Sequence, residues 1–154
     1  MNTYYEFLTQ SGEILYHQNN FKMAIDSLEK AAPFNVYQND FLNNHYYRGK
    51  IYEKLNNSEK AHFHFSKSDS IYNLTNDVVP EVREIQEYFI NYYKSKGDTE
   101  NQLKYIDRLL HVDSIIHSNH INLNETIFKK YDTPLLLSEK QKIIETLKEK
   151  ERNY

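Results

Sequence analysis

The chain has 154 residues, with 19 Lys and Arg against 22 Asp and Glu, so its formal net charge is −3. This length suits a single domain, and the absence of Cys excludes disulfide bonds and thiolate metal sites. Only 3 Gly and 3 Pro are present, which disfavours an all-β fold and glycine-rich cofactor loops. The composition therefore predicts a mainly helical chain, whose unusual feature is its 14 Tyr residues.

Neither a membrane span nor an export signal is found in the sequence. No apolar run approaches the ~20 residues that a helix needs to cross a bilayer. Residues 1–10 lack the basic and apolar segments of a signal peptide. On this chain alone we expect a cytoplasmic location, whereas a fragment of a membrane-anchored protein would be periplasmic.

A sequence repeat organises most of the chain. Residues 12–24 recur 37 positions later as residues 49–61, with Gly12, Asn19 and Ala24 matched by a second Gly, Asn and Ala. A weaker third copy follows at a further offset of 41 positions. Each copy predicts two helices joined by a tight turn, because apolar residues recur every three or four positions on both sides of an Asn-Asn or Gly-Asp pair.

The periodicity predicts six helices in three pairs and a seventh helix at the end. Residues 119–124 are polar, and they either prolong the sixth helix or break it. Asp132 or Thr133 then caps the last helix, with Pro134 in its first turn. The predicted helices, in chain order, cover 3–18, 21–33, 39–55, 58–73, 79–96, 99–118 and 135–152.

Small residues mark where the two helices of a pair cross. We expect Gly12 to face Ala24 and Gly49 to face Ala61, because larger side chains would push the backbones apart. The third copy has Ile and Gln at these positions, so its crossing is expected to be looser. Thr99 and Gln102 have the spacing of a capping box at the start of the sixth helix.

The order Gly49, Tyr52, Ala61 and Phe65 resembles the tetratricopeptide repeat, whose period is typically ~34 residues. The resemblance covers roughly residues 3–118. It implies an all-α helical-repeat superhelix of about three helix pairs at 1–118, followed by a C-terminal helical extension at 119–154.

Residues 105–114 and 130–134, followed by a helix rich in Glu and Lys, resemble the sensor part of bacterial AraC-type regulators. In those proteins tetratricopeptide repeats precede a membrane helix and a cytoplasmic helix-turn-helix DNA-binding domain. The resemblance implies that a hydrophobic segment would follow residue 154 in a longer protein.

In such a superhelix the first helix of each pair lines a concave groove. Residues of these helices that lie off the packing stripe are the candidate contacts for a protein or peptide partner. Tyr suits this role because it offers a rigid apolar ring with a hydroxyl group, whereas Tyr52 and Tyr93 fall at matching repeat positions and are expected to pack between helices. The candidate partner-binding residues are Glu13, Tyr16, Asn43, Tyr46, Lys50, Glu87 and Asn91.

Other kinds of site find little support in the sequence. A clamp for a terminal carboxylate needs clustered basic residues, and Lys50 stands among several Glu. The interspersed charges give no basic stripe for nucleic acid. His117 and His120 have a chelating spacing, but no third ligand is placed beside them. We expect no cofactor, no metal and no catalytic site.

The sequence thus predicts a non-catalytic scaffold that binds a protein or peptide segment, as the sensory or assembly part of a bacterial transcription regulator. The alternative is a stand-alone structural module. In that case the apolar stripe from Leu136 to Leu147 caps the array or forms a homodimer between helices.

Overall fold

A computed structural model describes residues 3–121 and 131–152, and within these ranges all regular secondary structure is helical. The predicted all-α class is therefore confirmed for this part of the chain. A short 3-10 helix, Ala32–Phe34, separates the second and third α-helices. The α-helices are α1 (Thr3–His17), α2 (Phe21–Ala31), α3 (Gln38–Lys54), α4 (Ser58–Thr75), α5 (Pro80–Ser95), α6 (Thr99–Ser118) and α7 (Thr133–Arg152), each within two residues of the predicted bounds.

The turns of the three helical hairpins, α1–α2, α3–α4 and α5–α6, share one backbone geometry. Asn19, Asn56 and Gly97 each adopt a left-handed conformation, with φ of 61°, 58° and 69°. In each turn the next residue donates its N–H to the carbonyl five positions earlier: Asn20 to Leu15 (2.8 Å), Asn57 to Tyr52 (2.9 Å) and Asp98 to Tyr93 (3.0 Å). This is the Schellman ending of a helix. The turns therefore align the three hairpins at the predicted offsets of 37 and 41 residues.

The residue after each left-handed position is the N-cap of the second helix of the hairpin. Asn57 accepts a hydrogen bond from the N–H of Lys60 at 3.1 Å, and Asp98 accepts one from the N–H of Asn101 at 3.1 Å. The predicted capping box of Thr99 and Gln102 is therefore wrong by one residue. Asp98 is the cap because its carboxylate reaches the N–H three positions on, while Thr99 already lies in the helix.

The glycines lie where the helices of a hairpin approach closely, but their partners differ from those predicted. A Cβ on Gly12 would lie 2.7 Å from Cγ of Leu28, and one on Gly49 would lie 2.8 Å from the ring of Phe65. Leu28 and Phe65 each follow the predicted alanine by one helical turn. The glycines thus make room for a large buried side chain, and the carbonyl oxygen of the predicted partner Ala24 also lies 3.5 Å from the Cβ position of Gly12.

The chain divides into two compact units, and the first, Met1–Asp77, contains α1 to α4. Within it α3 packs against α4 and also against α1 and α2. Two buried side chains bond to carbonyls of neighbouring helices: Nδ2 of Asn44 donates to Leu28 at 2.8 Å, and Oγ of Ser68 donates to Leu42 at 2.8 Å.

The second unit, Val78–Tyr154, contains α5 to α7, and α7 packs against α6. Residues 119–121 break the sixth helix, since His120 has φ of 52° and Ile121 bonds back to the carbonyl of Ile116. Residues 122–124 of the same predicted polar stretch lie outside the described residues. Asp132 caps α7 by accepting the N–H of Leu135 at 2.9 Å, as the sequence predicted.

Two residues of the apolar stripe of α7, Leu136 and Ile143, are buried within the second unit, whereas Leu137 is 52% exposed. Beside the stripe, Nζ of Lys140 lies 2.7 Å from the carboxylate of Asp107 on α6. The predicted boundary at residue 118 coincides with the end of α6. The division into a repeat array and an extension stays a prediction.

Candidate functional site

Five of the predicted partner-binding residues belong to the first unit, where they lie on α1 and α3. Glu13, Tyr16, Asn43 and Lys50 are half-buried, whereas Tyr46 is only 2% exposed and packs near the ring of Phe65. Within the described residues, Oδ1 of Asn43 is buried and accepts no hydrogen bond. Their contact with a partner stays a prediction.

A cavity of about 630 Å³ opens between α1 and the segment that leads into α3. Its wall combines aromatic rings with two carboxylates, and the rings of Tyr5 and Phe34 stack on each other. None of the described residues that line it is Lys, Arg or His. The lining residues are Tyr5, Glu6, Thr9, Gln10, Phe34, Asn35, Val36, Tyr37 and Asp40.

A buried arginine organises the second unit. Arg83 on α5 is fully buried, and its Nε and Nη2 donate to the two carboxylate oxygens of Asp113 on α6, at 2.7 and 3.2 Å. Its Nη1 lies 2.9 Å from Oε1 of Glu87. A buried charge of this kind is tolerated only when it is paired and hydrogen-bonded, so these two carboxylates hold the guanidinium in place.

Tyr131, two residues before α7, is held by this group at three points. Nη2 of Arg83 donates to the backbone carbonyl of Tyr131, and the backbone N–H of Tyr131 donates to Oε2 of Glu87. Its hydroxyl donates to Oδ1 of Asn91 at 2.8 Å. Burial, reinforced by Glu139 and Glu87, raises the pKa of the Tyr131 hydroxyl, which favours the protonated donor. We call Arg83, Glu87 and Asn91, spaced four residues apart on one face of α5, the clamp.

Two predicted partner-binding residues, Glu87 and Asn91, therefore contact a peptide segment of the same chain. Glu87 is also 3% exposed. A third residue of this face, Lys94, lies 3.8 Å from Glu139 of α7. The first-helix face of the third hairpin thus carries the chain's own C-terminal segment.

The aligned turns show which residues of the other hairpins match the clamp. A residue of α5 matches the residue of α3 that lies 41 positions earlier in the chain. It matches the residue of α1 that lies a further 37 positions earlier. The two positions of α1 that match Arg83 and Glu87, namely Tyr5 and Thr9, line the cavity. The matched sets are Tyr5, Leu42 and Arg83; Thr9, Tyr46 and Glu87; and Glu13, Lys50 and Asn91.

Sequence reasoning missed Arg83, Asp113 and Tyr131. The signal for Arg83 was its place on the apolar stripe of α5 between Val82 and Ile85, where an unpaired cation would be costly. That position predicts an acidic partner, but it does not predict which acid supplies the pairing.

A pair of histidines joins α3 to α4 in the first unit. Nδ1 of His45 lies 3.0 Å from Nδ1 of His64, so one ring donates and the other accepts. Burial, and next the charge of Arg48, lowers the pKa of His45 to about 4 and that of His64 to about 3. His64 also stacks on Tyr52 with ring centres 5.5 Å apart. Both rings are therefore neutral near pH 7 and serve packing.

The same stacking recurs in the third hairpin. The rings of Tyr93 and Tyr105 lie 5.5 Å apart, at positions 41 residues beyond Tyr52 and His64. The prediction that Tyr52 and Tyr93 pack between helices is confirmed.

Metal and membrane sites were sought in the described ranges only. There, no three His, Asp or Glu side chains converge to hold a metal ion. No helix in the same ranges has the length and apolar character needed to cross a membrane.

Comparison of the chain with protein-family profiles, curated proteins and solved structures found no match.

Proposed function

We propose that this chain is a non-catalytic scaffold that binds a segment of a partner protein on the first-helix faces of its hairpins, in the manner of a tetratricopeptide array. The observation that carries the proposal is the clamp, in which Arg83, Glu87 and Asn91 bind Tyr131 through its backbone and its side chain. Such a face recognises a peptide whose backbone groups point toward it.

The first unit supplies the open counterpart of the clamp. Thr9 and Tyr5 occupy the positions matched to Glu87 and Arg83, and there they line a cavity. Pockets that combine apolar walls with a few polar groups are the usual sites of ligand binding. The first unit is therefore where a partner segment would bind without displacing the chain's own residues.

The test is selection of random displayed peptides on the whole chain, followed by mapping of the selected peptides. Peptides that bind should perturb the backbone amide signals of residues 5–10 and 34–40. Thr9→Arg, which fills the cavity from α1, should abolish binding, whereas Thr99→Arg at the half-buried first residue of α6 should not. Selected peptides that bind the Thr9→Arg variant as tightly as the wild type would overturn the proposal.

The regulator context is a second part of the same proposal. It rests on the resemblance of the sequence at 105–114 and 130–134 to AraC-type sensors, with α7 carrying a change of the array to whatever follows. The check is the gene beyond codon 154, where this context requires a membrane segment and a helix-turn-helix domain. A frame that encodes neither would remove the regulator context and leave the scaffold proposal intact.

The alternative, a structural module, draws support from α7. Leu136 and Ile143 are buried in the second unit, which favours the capping role over a dimer through this stripe. Light scattering of the chain with and without residues 133–154 separates the two roles. A dimer that is lost on truncation would favour the oligomerising module.

A further inference from the structure

The cavity of the first unit differs from the clamp in charge. We propose that it binds a lysine or arginine side chain from a peptide segment of the partner protein. This inference rests on the proposed function, because it names the chemistry of the ligand for that same surface.

The charges of the lining are one-sided. Glu6 on α1 and Asp40 on α3 supply two carboxylates, and none of the described residues that line the cavity is basic. Oδ2 of Asp40 accepts the N–H of Tyr37 at 3.2 Å, which holds its carboxylate at the start of α3. Among the described residues, the charged side chains of the lining are these two carboxylates, which attract a cation and repel an acidic side chain.

The aromatic rings suit the rest of a long basic side chain. Tyr5 and Phe34 stack on each other, and Tyr37 is 73% exposed beside them. Aromatic faces attract a cation through the ring quadrupole, and the methylene stem of Lys or Arg packs on apolar surface. The cavity thus offers contacts to both parts of the side chain.

A polar group of the cavity wall lacks a partner. Among the described residues, the amide nitrogen Nδ2 of Asn35 is buried and donates no hydrogen bond. Because this nitrogen is itself buried, the Asn35 side chain would have to turn toward the cavity before its amide could donate to a backbone carbonyl of a bound peptide.

The experiment is a titration of the whole chain with small probes, in which binding is monitored through the backbone amide signals in NMR spectra. The probes are capped single residues: N-acetyl-lysine N-methylamide, its norleucine counterpart and its glutamate counterpart. The lysine probe should shift the signals of residues 5–10 and 34–40 saturably. The norleucine probe, which keeps the four-carbon stem of lysine and lacks the ammonium group, should bind about two- to fivefold more weakly.

A charge-neutralising variant tests whether the carboxylate of Glu6 causes the preference for the lysine probe. Glu6→Gln should weaken the lysine probe by about two- to fivefold and leave the norleucine probe unchanged. Glu59→Gln removes the same charge from the exposed start of α4 and should change neither probe.

The outcomes separate the two proposals. Equal affinity of the lysine and norleucine probes, or equal weakening of both by Glu6→Gln, would overturn the cation preference and leave the scaffold proposal standing. If neither the probes nor selected peptides perturb residues 5–10 and 34–40, both proposals fail.

Discussion

Replacement of Arg83 by Met tests the interactions that hold the second unit together. Met keeps the apolar stem but removes the guanidinium that lies between the carboxylates of Asp113 and Glu87. Removal of one partner from a buried ion pair costs about 3–5 kcal/mol, because the remaining charge stays buried and unpaired. The carbonyl of Tyr131 loses its donor in the same step. We expect a loss of about 3–5 kcal/mol from the free energy of unfolding.

The measurement is urea denaturation near pH 7, followed by tyrosine fluorescence, since the chain has no Trp. Arg108→Met is the matched control, because Arg108 lies 4.8 Å from the ring of Tyr105 at a half-buried position. The control should cost only about 0.5–1 kcal/mol. Equal costs for the two variants would refute the reasoning.

A second comparison isolates the electrostatic cause. When Glu87→Gln and Asp113→Asn are added to Arg83→Met, the stranded negative charges are removed together. The triple variant should recover about 2–3 kcal/mol of the loss, because replacement of a whole buried ion group is far less costly than its disruption. If the triple variant is less stable than Arg83→Met alone, packing and not charge explains the loss.

Two further predictions concern the first unit. Gly49→Ala should lower the free energy of unfolding in urea by about 1–2 kcal/mol, because the new Cβ would lie 2.8 Å from the buried ring of Phe65. The cost of this overpacking exceeds the gain in helix propensity from Gly to Ala. A variant that is more stable than the wild type would contradict this reasoning. His45 and His64 have pKa values lowered to about 4 and about 3, so the unfolded chain binds their protons more readily. Stability should therefore fall as the pH drops from about 6.5 toward 4, by on the order of 1–3 kcal/mol, and the fall should shrink in a His45→Gln, His64→Gln variant.

The hairpins were predictable because their signals are local. Asn19, Asn56 and Gly97 are residue types that accept a left-handed conformation, and each lies at the turn that the periodicity required. The partners of the glycines were predicted one turn away from their true place. Periodicity identifies which face of a helix is packed, but the height of a side chain on that face depends on its length and rotamer.

The clamp was not predictable in the same way. Arg83 and Asp113 are 30 residues apart, and Arg83 and Tyr131 are 48 apart. Nothing in the local pattern around any of them identifies the others, because the pairing depends on how α6 returns along α5. The candidate residues Glu87 and Asn91 were identified on the correct helix, while their ligand within the chain became visible only in the structure.

The three hairpins share their turn geometry but differ in the side chains of their first-helix faces. Their turns are the same, yet one matched position holds Tyr5 beside an open cavity, buried Leu42 in the second hairpin and Arg83 in the clamp. Leu42 is fully buried and offers its side chain to no ligand, Arg83 is occupied by Tyr131, and Tyr5 borders open space. Since the turn geometry is common to all three hairpins, it cannot explain why one matched side chain borders a cavity, another is buried and the third binds Tyr131. The side chain at the matched position does, and substitutions there should alter binding more than substitutions in the turns.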